Sequence, residues 1–350
     1  MAFQNALLIQ TAFIGDVVLT TPMIAAFKRF FPESRLTLLV KPEAVSILEG
    51  NPHVDEILVI DKKKKHRGFR GMLAMRSTIR ERKFDLLLSP HQSHRTSLLS
   101  MFSGIPVRVG YLGAGFAKFA YNKRLKRTDS EPEIRRLIQF FFEAVSLTPS
   151  PVSEIPEVFE NDSSRLEARN LFEELRVKNP VLVAPSSVWP TKRWTPWGFA
   201  ELIVQLVEKY HSPVLLIGGP DDARVASDVE NFIKETKPDW ISDRVFNICG
   251  KTSLKGLYSI MVKSRFLVSN DSAPIHFACA AKIPVVAIFG PTTPALGYAP
   301  IAPRTTVAEI DLPCRPCGTH GGNVCPLTHF DCMKKLTPAE VLKAVQKVVS

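Results

Sequence analysis

A polar cluster follows a short apolar run in the stretch Phe266–Pro291 (FLVSNDSAPIHFACAAKIPVVAIFGP). The stretch predicts a strand, a helix and a second strand of a parallel sheet, with Pro274 in the first turn of the helix. Asp271, Ser272 and His276 therefore lie where a strand ends and a helix begins, which is where open α/β sheets bind ligands. Asp271 or Ser272 can cap the helix. A capped turn with a core histidine is the alternative, but the convergence of polar groups favours a binding site.

A second loop carries groups suited to phosphate. Ser186 and Ser187 follow the apolar run Pro180–Ala184, and Lys192 comes shortly after them. Hydroxyl and backbone donors with a mobile cation can hold a diphosphate and stabilise charge on a leaving nucleotide. The alternative is a surface lysine beside Trp194.

A third loop carries a carboxylate. Gly15 and Asp16 follow the strand-like run Ala6–Thr11 and open a helix-like segment, Val17–Phe31. A carboxylate here can act as a general base or cap a helix, and the residue pattern leaves both open. The loop lacks the glycine triplet of a dinucleotide fingerprint, which argues against a nicotinamide cofactor.

The elements that position these loops form two similar halves. Apolar runs alternate with helical segments in each half, which predicts an α/β protein with doubly wound sheets. Prolines cluster between Thr148 and Glu160 without helical periodicity, so we place the boundary there, with domains 1–155 and 156–336. A last helix over 337–350 begins with a capping box, Thr337 to Glu340, and we expect it to pack on the first domain.

Composition narrows the class of protein. The chain has 350 residues, 45% hydrophobic and 23% charged, with a net charge of +11. No apolar run is long enough to cross a bilayer, and the first residues lack the pattern of a signal peptide, so we expect a cytoplasmic protein. No nucleic-acid module is recognisable, so the basic balance favours an anionic membrane or a phosphorylated acceptor.

The motifs in these loops resemble those of a known family. NDSAPIHFA followed by GPTTP, with PSS and KRW in the second loop and GD in the first, resembles the heptosyltransferases of glycosyltransferase family 9. The usual form is D-[ST]-G-x-x-H, and Ala273 here replaces the glycine. The resemblance covers nearly the whole chain. It implies the GT-B architecture, in which two Rossmann-like domains face each other across a cleft.

The resemblance also implies an activity and its residues. Asp16 becomes the catalytic base of an inverting transfer of heptose from ADP-heptose to a lipid A–Kdo–heptose acceptor at the inner membrane surface, with no metal required for catalysis. The implied donor site comprises Ser186, Ser187, Lys192, Asp221, Thr252, Asp271, Ser272, Ala273 and His276. The expected acceptor contacts, in a basic stretch that can equally be a solvated face, are Lys64, Arg67, His91, His94 and Arg95.

A cysteine segment near the end of the chain leaves two interpretations open. Cys314 and Cys317 form a CxxC, but Cys325 and Cys332 do not form a second one. The set can hold a structural zinc or iron, or it can be a loop of reduced cysteines. A similar insert occurs in members of the resembling family.

Two other functions stay open from the sequence. One is another family 9 transferase, such as a protein-directed heptosyltransferase with a structural metal. The other is a basic, membrane-associated binding protein without catalysis. Turnover of ADP-heptose separates the enzymes from the binder.

Overall fold

The computed structural model describes residues 3–237 and 239–349, so Met1, Ala2, Pro238 and Ser350 lie outside the described residues. These include the outermost residues of the predicted first domain and of the predicted last helix. The chain divides into two compact units, Met1–Phe159 and Glu160–Ser350. The division falls a few residues after the boundary predicted from the proline cluster.

The first unit is one parallel sheet with helices on its faces. Its elements are β1 (Asn5–Ile9), α1 (Ile14–Phe30), β2 (Arg35–Val40), α2 (Val45–Leu48), β3 (Glu56–Val59), α3 (Gly68–Glu81), β4 (Leu86–Ser89), α4 (His94–Met101), β5 (Val107–Tyr111), α5 (Ala117–Ala120), β6 (Lys123–Leu125) and α6 (Glu133–Ala144). The strand order is β3-β2-β1-β4-β5-β6. Leu7 of β1 pairs in register with Thr37 on one side and Leu87 on the other. The order reverses beside β1, so the loop after β1 lies at the switch point of the sheet.

The second unit repeats this plan. Its elements are α7 (Asp162–Glu174), β7 (Val181–Ala184), α8 (Pro196–Tyr210), β8 (Val214–Leu216), α9 (Ala223–Thr236), α10 (Trp240–Asp243), β9 (Val245–Asn247), α11 (Leu254–Val262), β10 (Phe266–Asn270), α12 (Pro274–Ala280), β11 (Val285–Ile288), β12 (Thr305–Ala308), α13 (Asp331–Lys334) and α14 (Pro338–Val349). The strand order is β12-β11-β10-β7-β8-β9, again parallel throughout. The reversal lies between β7 and β10, the two strands whose loops carry the predicted donor residues.

The predicted doubly wound α/β fold is confirmed. The strands were recognisable because central parallel strands are buried on both faces and read as unbroken apolar runs, as in β7 (VLVA) and β11 (VVAI). Helix α14 begins with the predicted capping box, in which the backbone N–H and the hydroxyl of Thr337 both donate to the Glu340 carboxylate. No helix within the described residues is long and apolar enough to span a bilayer.

The last helix lies in the second unit, which differs from its expected packing on the first domain. Val341, Val345 and Val348 of α14 are buried in the same apolar cluster as Phe199 and Leu202 of α8. Apolar residues at this spacing form one face of the helix, and that face is covered by α8 and the β11–β12 side of the second sheet.

Candidate active site

Asp16 lies in the first turn of α1, directly after β1. Its Oδ2 accepts a hydrogen bond of 3.0 Å from the backbone N–H of Phe13, the residue that precedes the helix. Asp16 therefore does cap the helix, as one interpretation of the sequence required. The described residues offer no hydrogen-bond donor to its Oδ1, so the capping contact leaves one carboxylate oxygen available.

The environment of Asp16 changes its acidity. Burial, the largest cause, and the nearby Glu133 carboxylate raise the pKa of Asp16 to about 6, against smaller opposing effects from the Phe13 N–H, Lys41 and Arg127. A carboxyl with this pKa is ionised at neutral pH and is a stronger base than an ordinary aspartate. Capping and proton abstraction are thus compatible roles for the same side chain.

A cationic cluster lies at the same edge of the first sheet. Lys62 donates from Nζ to Oγ1 of Thr11, the residue just beyond β1, at 3.0 Å. Burial, with Arg95 and Lys41 nearby, lowers the pKa of Lys62 to about 8. Burial and the same two lysines lower the pKa of His91 to about 4, so His91 is neutral at pH 7. Its buried Nδ1 has no hydrogen-bond partner among the described residues.

The structure brings together only some of the predicted acceptor residues. His91 and Arg95 lie with Lys62, and Arg95 donates to the carbonyl of His66. Lys64 and Arg67 are exposed. His94 is also exposed, and its ring lies 6.2 Å from that of Phe116. Sequence reasoning missed Lys62, because nothing in a run of four lysines shows which one turns inward.

In the second unit, Lys192 and Asp271 form a buried ion pair. Lys192 Nζ lies 2.5 Å from Asp271 Oδ2, and the Thr292 hydroxyl donates to the same oxygen at 2.7 Å. Both ionic side chains are about nine-tenths buried, with 12% and 7% exposure. The loops that follow β7, β10 and β11 thus meet at one point. Thr292, in the GPTTP motif, belongs to this cluster although it was absent from the predicted site.

Asn270 braces the loop that carries Lys192. Its Oδ1 accepts from the backbone N–H of Trp194 at 2.9 Å, and its Nδ2 donates to the Pro185 carbonyl at 2.8 Å. Asn270 is fully buried at the end of β10. Removing its amide would leave buried backbone groups without partners. Its role is to hold the predicted phosphate loop against the β10 strand.

The two serines of that loop are buried and differ in their contacts. Ser187 Oγ accepts a long 3.4 Å bond from the backbone N–H of Trp189. Ser186 Oγ has no hydrogen-bond partner among the described residues, although it is buried. A buried hydroxyl without a partner is uncommon and is consistent with a ligand contact.

The start of α12 differs from the prediction in its cap. The residue before the helix is Ala273, which makes no side-chain cap, and Ser272 instead donates to the Asn270 carbonyl at 3.2 Å. The expectation that Asp271 or Ser272 caps α12 is therefore wrong, because Asp271 is committed to Lys192. Ala273 has ordinary helical angles (φ −49°, ψ −37°), so alanine is tolerated where the family has glycine. Burial lowers the pKa of His276 to about 4, which makes it neutral at pH 7.

Asp221 and Thr252 lie on neighbouring loops after β8 and β9. The two loops are joined by a 3.0 Å backbone hydrogen bond from Gly250 to Gly218. Asp221 is exposed, and its neighbour Asp222 turns back to accept from the N–H of Gly219 at 2.8 Å. Asp221 is therefore the carboxylate of this pair that stays open to a ligand.

The cysteine segment is fastened to the loop of Lys192. The Thr191 hydroxyl donates to the Gly322 carbonyl at 2.9 Å, and its backbone N–H donates to the same oxygen at 3.1 Å. Arg315, which lies inside the CxxC and was missed in the sequence, donates to the Gly290 and Thr292 carbonyls. The segment thus supports both the Lys192 loop and the loop after β11.

Three of the four cysteines share one small cavity. Cys317, Cys325 and Cys332 line it together with His320 and Thr191. Burial, together with the neighbouring cysteines, raises the pKa of Cys317, and burial raises that of Cys332 to about 11. Cys314 is half-buried, and Cys317 Sγ donates to its carbonyl. Across residues 3–237 and 239–349, no three His, Cys, Asp or Glu side chains are placed to hold a metal ion.

Comparison with known proteins identifies the class. The model of glycosyltransferase family 9 (heptosyltransferase) matches residues 72–326, and the chain belongs to this family. It is therefore a glycosyltransferase, as the motifs predicted.

Named relatives narrow the class further. The chain is 22% identical to lipooligosaccharide heptosyltransferase 2 of Campylobacter jejuni, with 96% of each chain covered. It is 21% identical to lipopolysaccharide heptosyltransferase 2 of Escherichia coli, over 83% of this chain and 84% of the other.

Solved structures share the fold. A family 9 glycosyltransferase from Veillonella parvula superposes with a TM-score of 0.87 at 20% identity, covering 100% of this chain and 98% of the other. The ADP-heptose LPS heptosyltransferase II of Escherichia coli superposes with a TM-score of 0.80 at 20% identity, covering 99% and 98%. An iron-containing dodecameric glycosyltransferase from enterotoxigenic Escherichia coli superposes with a TM-score of 0.59 at 15% identity, covering 99% of this chain and 76% of the other. The likeness to solved heptosyltransferases places the two sheets in the GT-B class.

Proposed function

We propose that the protein is an inverting transferase similar to heptosyltransferase II, which moves L-glycero-D-manno-heptose from ADP-heptose to the inner core of lipopolysaccharide. The observation that carries the proposal is Asp16, a half-buried carboxylate with a pKa of about 6 at the switch point of the first sheet. Family membership supplies the reaction class, and this carboxylate supplies the base that an inverting displacement needs.

In this mechanism Asp16 takes the proton of the acceptor hydroxyl as that oxygen attacks the anomeric carbon. The bond from the anomeric carbon to the diphosphate oxygen breaks as the new glycosidic bond forms, so the configuration inverts. The hydrogen bond from Phe13 orients the carboxylate through one oxygen and leaves the other to receive the proton. Its pKa near 6 keeps it ionised at neutral pH, where it can act as a base.

The donor residues act through charge and position. Lys192 neutralises the diphosphate as negative charge develops on the leaving nucleotide. Ser186 and Ser187 offer hydroxyls from the same loop, and neutral His276 with Asp271 orients the sugar-phosphate portion. Ala273 and Ser272 supply the helix start beside it, while Asp221 and Thr252 lie on the loops suited to the ribose and the base.

The basic side chains of the first unit indicate the chemical class of the acceptor. Lys62, His91 and Arg95 gather at the edge that carries Asp16, which suits an anionic saccharide of the lipid A–Kdo–heptose class. Such an acceptor is anchored in a bilayer, so the protein would work at the cytoplasmic face of the inner membrane as a peripheral protein.

A structural zinc or iron in the cysteine segment is a separate proposal. The shared cavity of Cys317, Cys325 and Cys332 supports it. Among the described residues, the side chains of this segment are not placed as a metal-holding group, so a metal would have to draw the cysteines together, and its role would be structural because a closed four-thiolate site leaves no open position.

A transfer assay tests the proposed function. ADP-heptose is supplied with deacylated inner-core acceptors that carry no heptose or one heptose, and ADP release is measured with product formation. We expect transfer to the acceptor with one heptose and loss of transfer in Asp16→Asn. Transfer to a protein acceptor alone would identify the protein-directed enzyme. Donor binding without turnover on any acceptor would identify the non-catalytic binder.

A further inference from the structure

The positive charge of the chain is concentrated in one segment of the first unit. Residues 62–127 contain seventeen Lys and Arg against two acidic residues, Glu81 and Asp85. The segment thus carries +15, while the whole chain carries +11, which leaves −4 for all other residues together. Phosphate binding at one site does not require so broad an excess. Two of these charges are neutralised by acidic residues outside the segment, Arg82 by Glu56 and Arg127 by Glu133, and the excess that remains indicates a surface that meets an extended anionic partner.

Three helices of this segment pack on one face of the first sheet. Buried residues of α3 (Met75, Ile79), α4 (Leu99) and α5 (Ala117, Ala120) share an apolar cluster with Leu7 and Ile9 of β1 and Leu87 of β4. Alternate strand residues point to one face, so all three helices cover that face. Arg76 of α3 donates to the carbonyl of Phe102 beyond α4 at 3.0 Å. The N–H of Phe116, just before α5, donates to Ser97 of α4 at 3.3 Å, so neighbouring helices are in contact.

The outer side of these helices exposes large apolar side chains. In α3, Gly71, Met75 and Ile79 face the core, while Phe69 and Leu73 point outward. The exposed fraction is 76% for Phe69 and 65% for Phe119 of α5. Exposed aromatic side chains amid basic residues are typical of proteins that lie on a membrane. We define the basic-aromatic surface by Phe69, Arg70, Leu73, Leu112, Lys118 and Phe119, all of which are exposed.

We propose that the basic-aromatic surface docks on an anionic lipid bilayer, with Phe69 and Phe119 inserted among the headgroups and acyl chains. This rests on the proposed function, since a lipid-linked acceptor requires the enzyme at a membrane. Charge complementarity argues for lipid over a second copy of the chain, because two such surfaces would repel each other. The outward aromatic and leucine side chains argue for lipid over a nucleic-acid backbone, which needs only the cations.

The position of the surface fits the acceptor. Phe69 follows β3 and the loop of Leu112 follows β5, so both lie at the carboxyl edge of the parallel sheet. Asp16 follows β1 at the same edge. A bilayer seated on the surface would therefore present the headgroup region of its lipids on the side of the sheet where Asp16 and Lys62 lie.

Vesicle sedimentation tests the surface without any catalytic readout. The probes are vesicles of pure phosphatidylcholine and of phosphatidylcholine with about a third phosphatidylglycerol. The test variants are Phe69→Ser with Phe119→Ser, and Arg70→Gln with Lys118→Gln. The control pair is Leu166→Ser with Phe232→Ser, exposed by 48% and 38% on helices α7 and α9 of the second unit.

We expect the unmodified chain to bind the anionic vesicles and not the neutral ones, with binding weakened by salt. Each test pair should lower the partition constant by roughly tenfold or more, and the control pair should leave it unchanged. Equal loss in test and control pairs would overturn the proposal. So would equal binding to neutral vesicles, or binding only to a nucleic acid or to itself.

Transfer to a deacylated acceptor keeps the two proposals separate. The Phe69→Ser and Phe119→Ser variant should retain its rate on that water-soluble acceptor, while its rate on a vesicle-embedded acceptor falls. If the unmodified chain catalyses transfer but does not bind vesicles, the docking proposal is refuted and the proposed function is not. Vesicle binding through these residues without any transfer would refute the proposed function alone.

Discussion

Replacing Asp16 by asparagine is expected to stabilise the first unit against unfolding and to abolish transfer by the protein. The pKa of Asp16 is raised from 3.8 to about 6, chiefly by burial. Between these two values the folded state binds more protons than the unfolded state, so the stability of the wild type falls as pH rises. About two pH units at about 1.4 kcal/mol each give about 3 kcal/mol, an upper bound on the cost that the ionised carboxylate imposes at neutral pH.

Asparagine removes that cost and keeps the cap. Its amide oxygen can still accept from the N–H of Phe13, so the variant tests the charge and not the helix start. At pH 8 we expect its thermal unfolding to shift upward by at most about 6–12 °C for a unit of this size. The shift should be small near pH 4, where Asp16 of the folded wild type is protonated, and should vanish below pH 3.8, where the unfolded chain is protonated there as well.

Calorimetry at pH 4, 6 and 8 measures the shift, and hydrogen exchange over residues 5–30 assigns it to the first unit. Asp222→Asn is the matched control, because Asp222 makes the same carboxylate contact to a helix-start N–H in the second unit. A variant no more stable than wild type at pH 8 would show that Asp16 is not buried as described. The transfer rate of Asp16→Asn should fall by roughly a hundred- to ten-thousandfold. A near-normal rate would show that Asp16 only caps the helix.

Other predictions address the remaining groups. In the wild type, kcat/KM should be level above neutral pH and fall tenfold per unit below about pH 6, as the Asp16 base protonates; a level profile down to pH 5 would exclude it. Lys192→Ala should weaken donor binding by up to roughly a hundredfold, because the contact of the lysine with the diphosphate is lost and Asp271 is left without its cation; unchanged affinity would remove Lys192 from the site. Lys62→Ala should raise the acceptor KM more than neutralising residues 63–65 together, because Lys62 is half-buried and donates to Thr11; equal effects would make the whole run a solvated face. Elemental analysis after metal-replete expression should show whether the cysteine segment binds a metal. Less than about a tenth of an equivalent of zinc or iron would exclude a structural metal there.

The sheets were predictable because burial on both faces gives parallel strands an unbroken apolar pattern. Strand β10 runs on to Asn270, so the polar cluster begins inside the strand and not after it. Several helices, among them α3 and α6, were not predicted. The basic residues of α3 favoured its interpretation as a solvated stretch, although its buried positions Gly71, Met75 and Ile79 recur at helical spacing.

The candidate site was predictable only in part. Strand-end loops located Asp16, Lys192 and Asp271, since parallel strands gather their loops at one edge. Partnerships were not predictable. Lys192 and Asp271 are 79 residues apart, and Thr191 and Gly322 are 131 residues apart, so no local pattern relates them. Spacing in the sequence gives the position of a group but not the distant group that it contacts.

The ion pair between Lys192 and Asp271 has a consequence for turnover. Before any donor arrives, the lysine already has an anionic partner at 2.5 Å. A diphosphate that recruits Lys192 must therefore compete with Asp271, and the gain on binding is the difference between two ion pairs. When ADP departs, Lys192 can pair with Asp271 again, so its buried ammonium group keeps an anionic partner. Under the proposed function, the free enzyme would thus carry an internal anion that moderates product affinity and favours release.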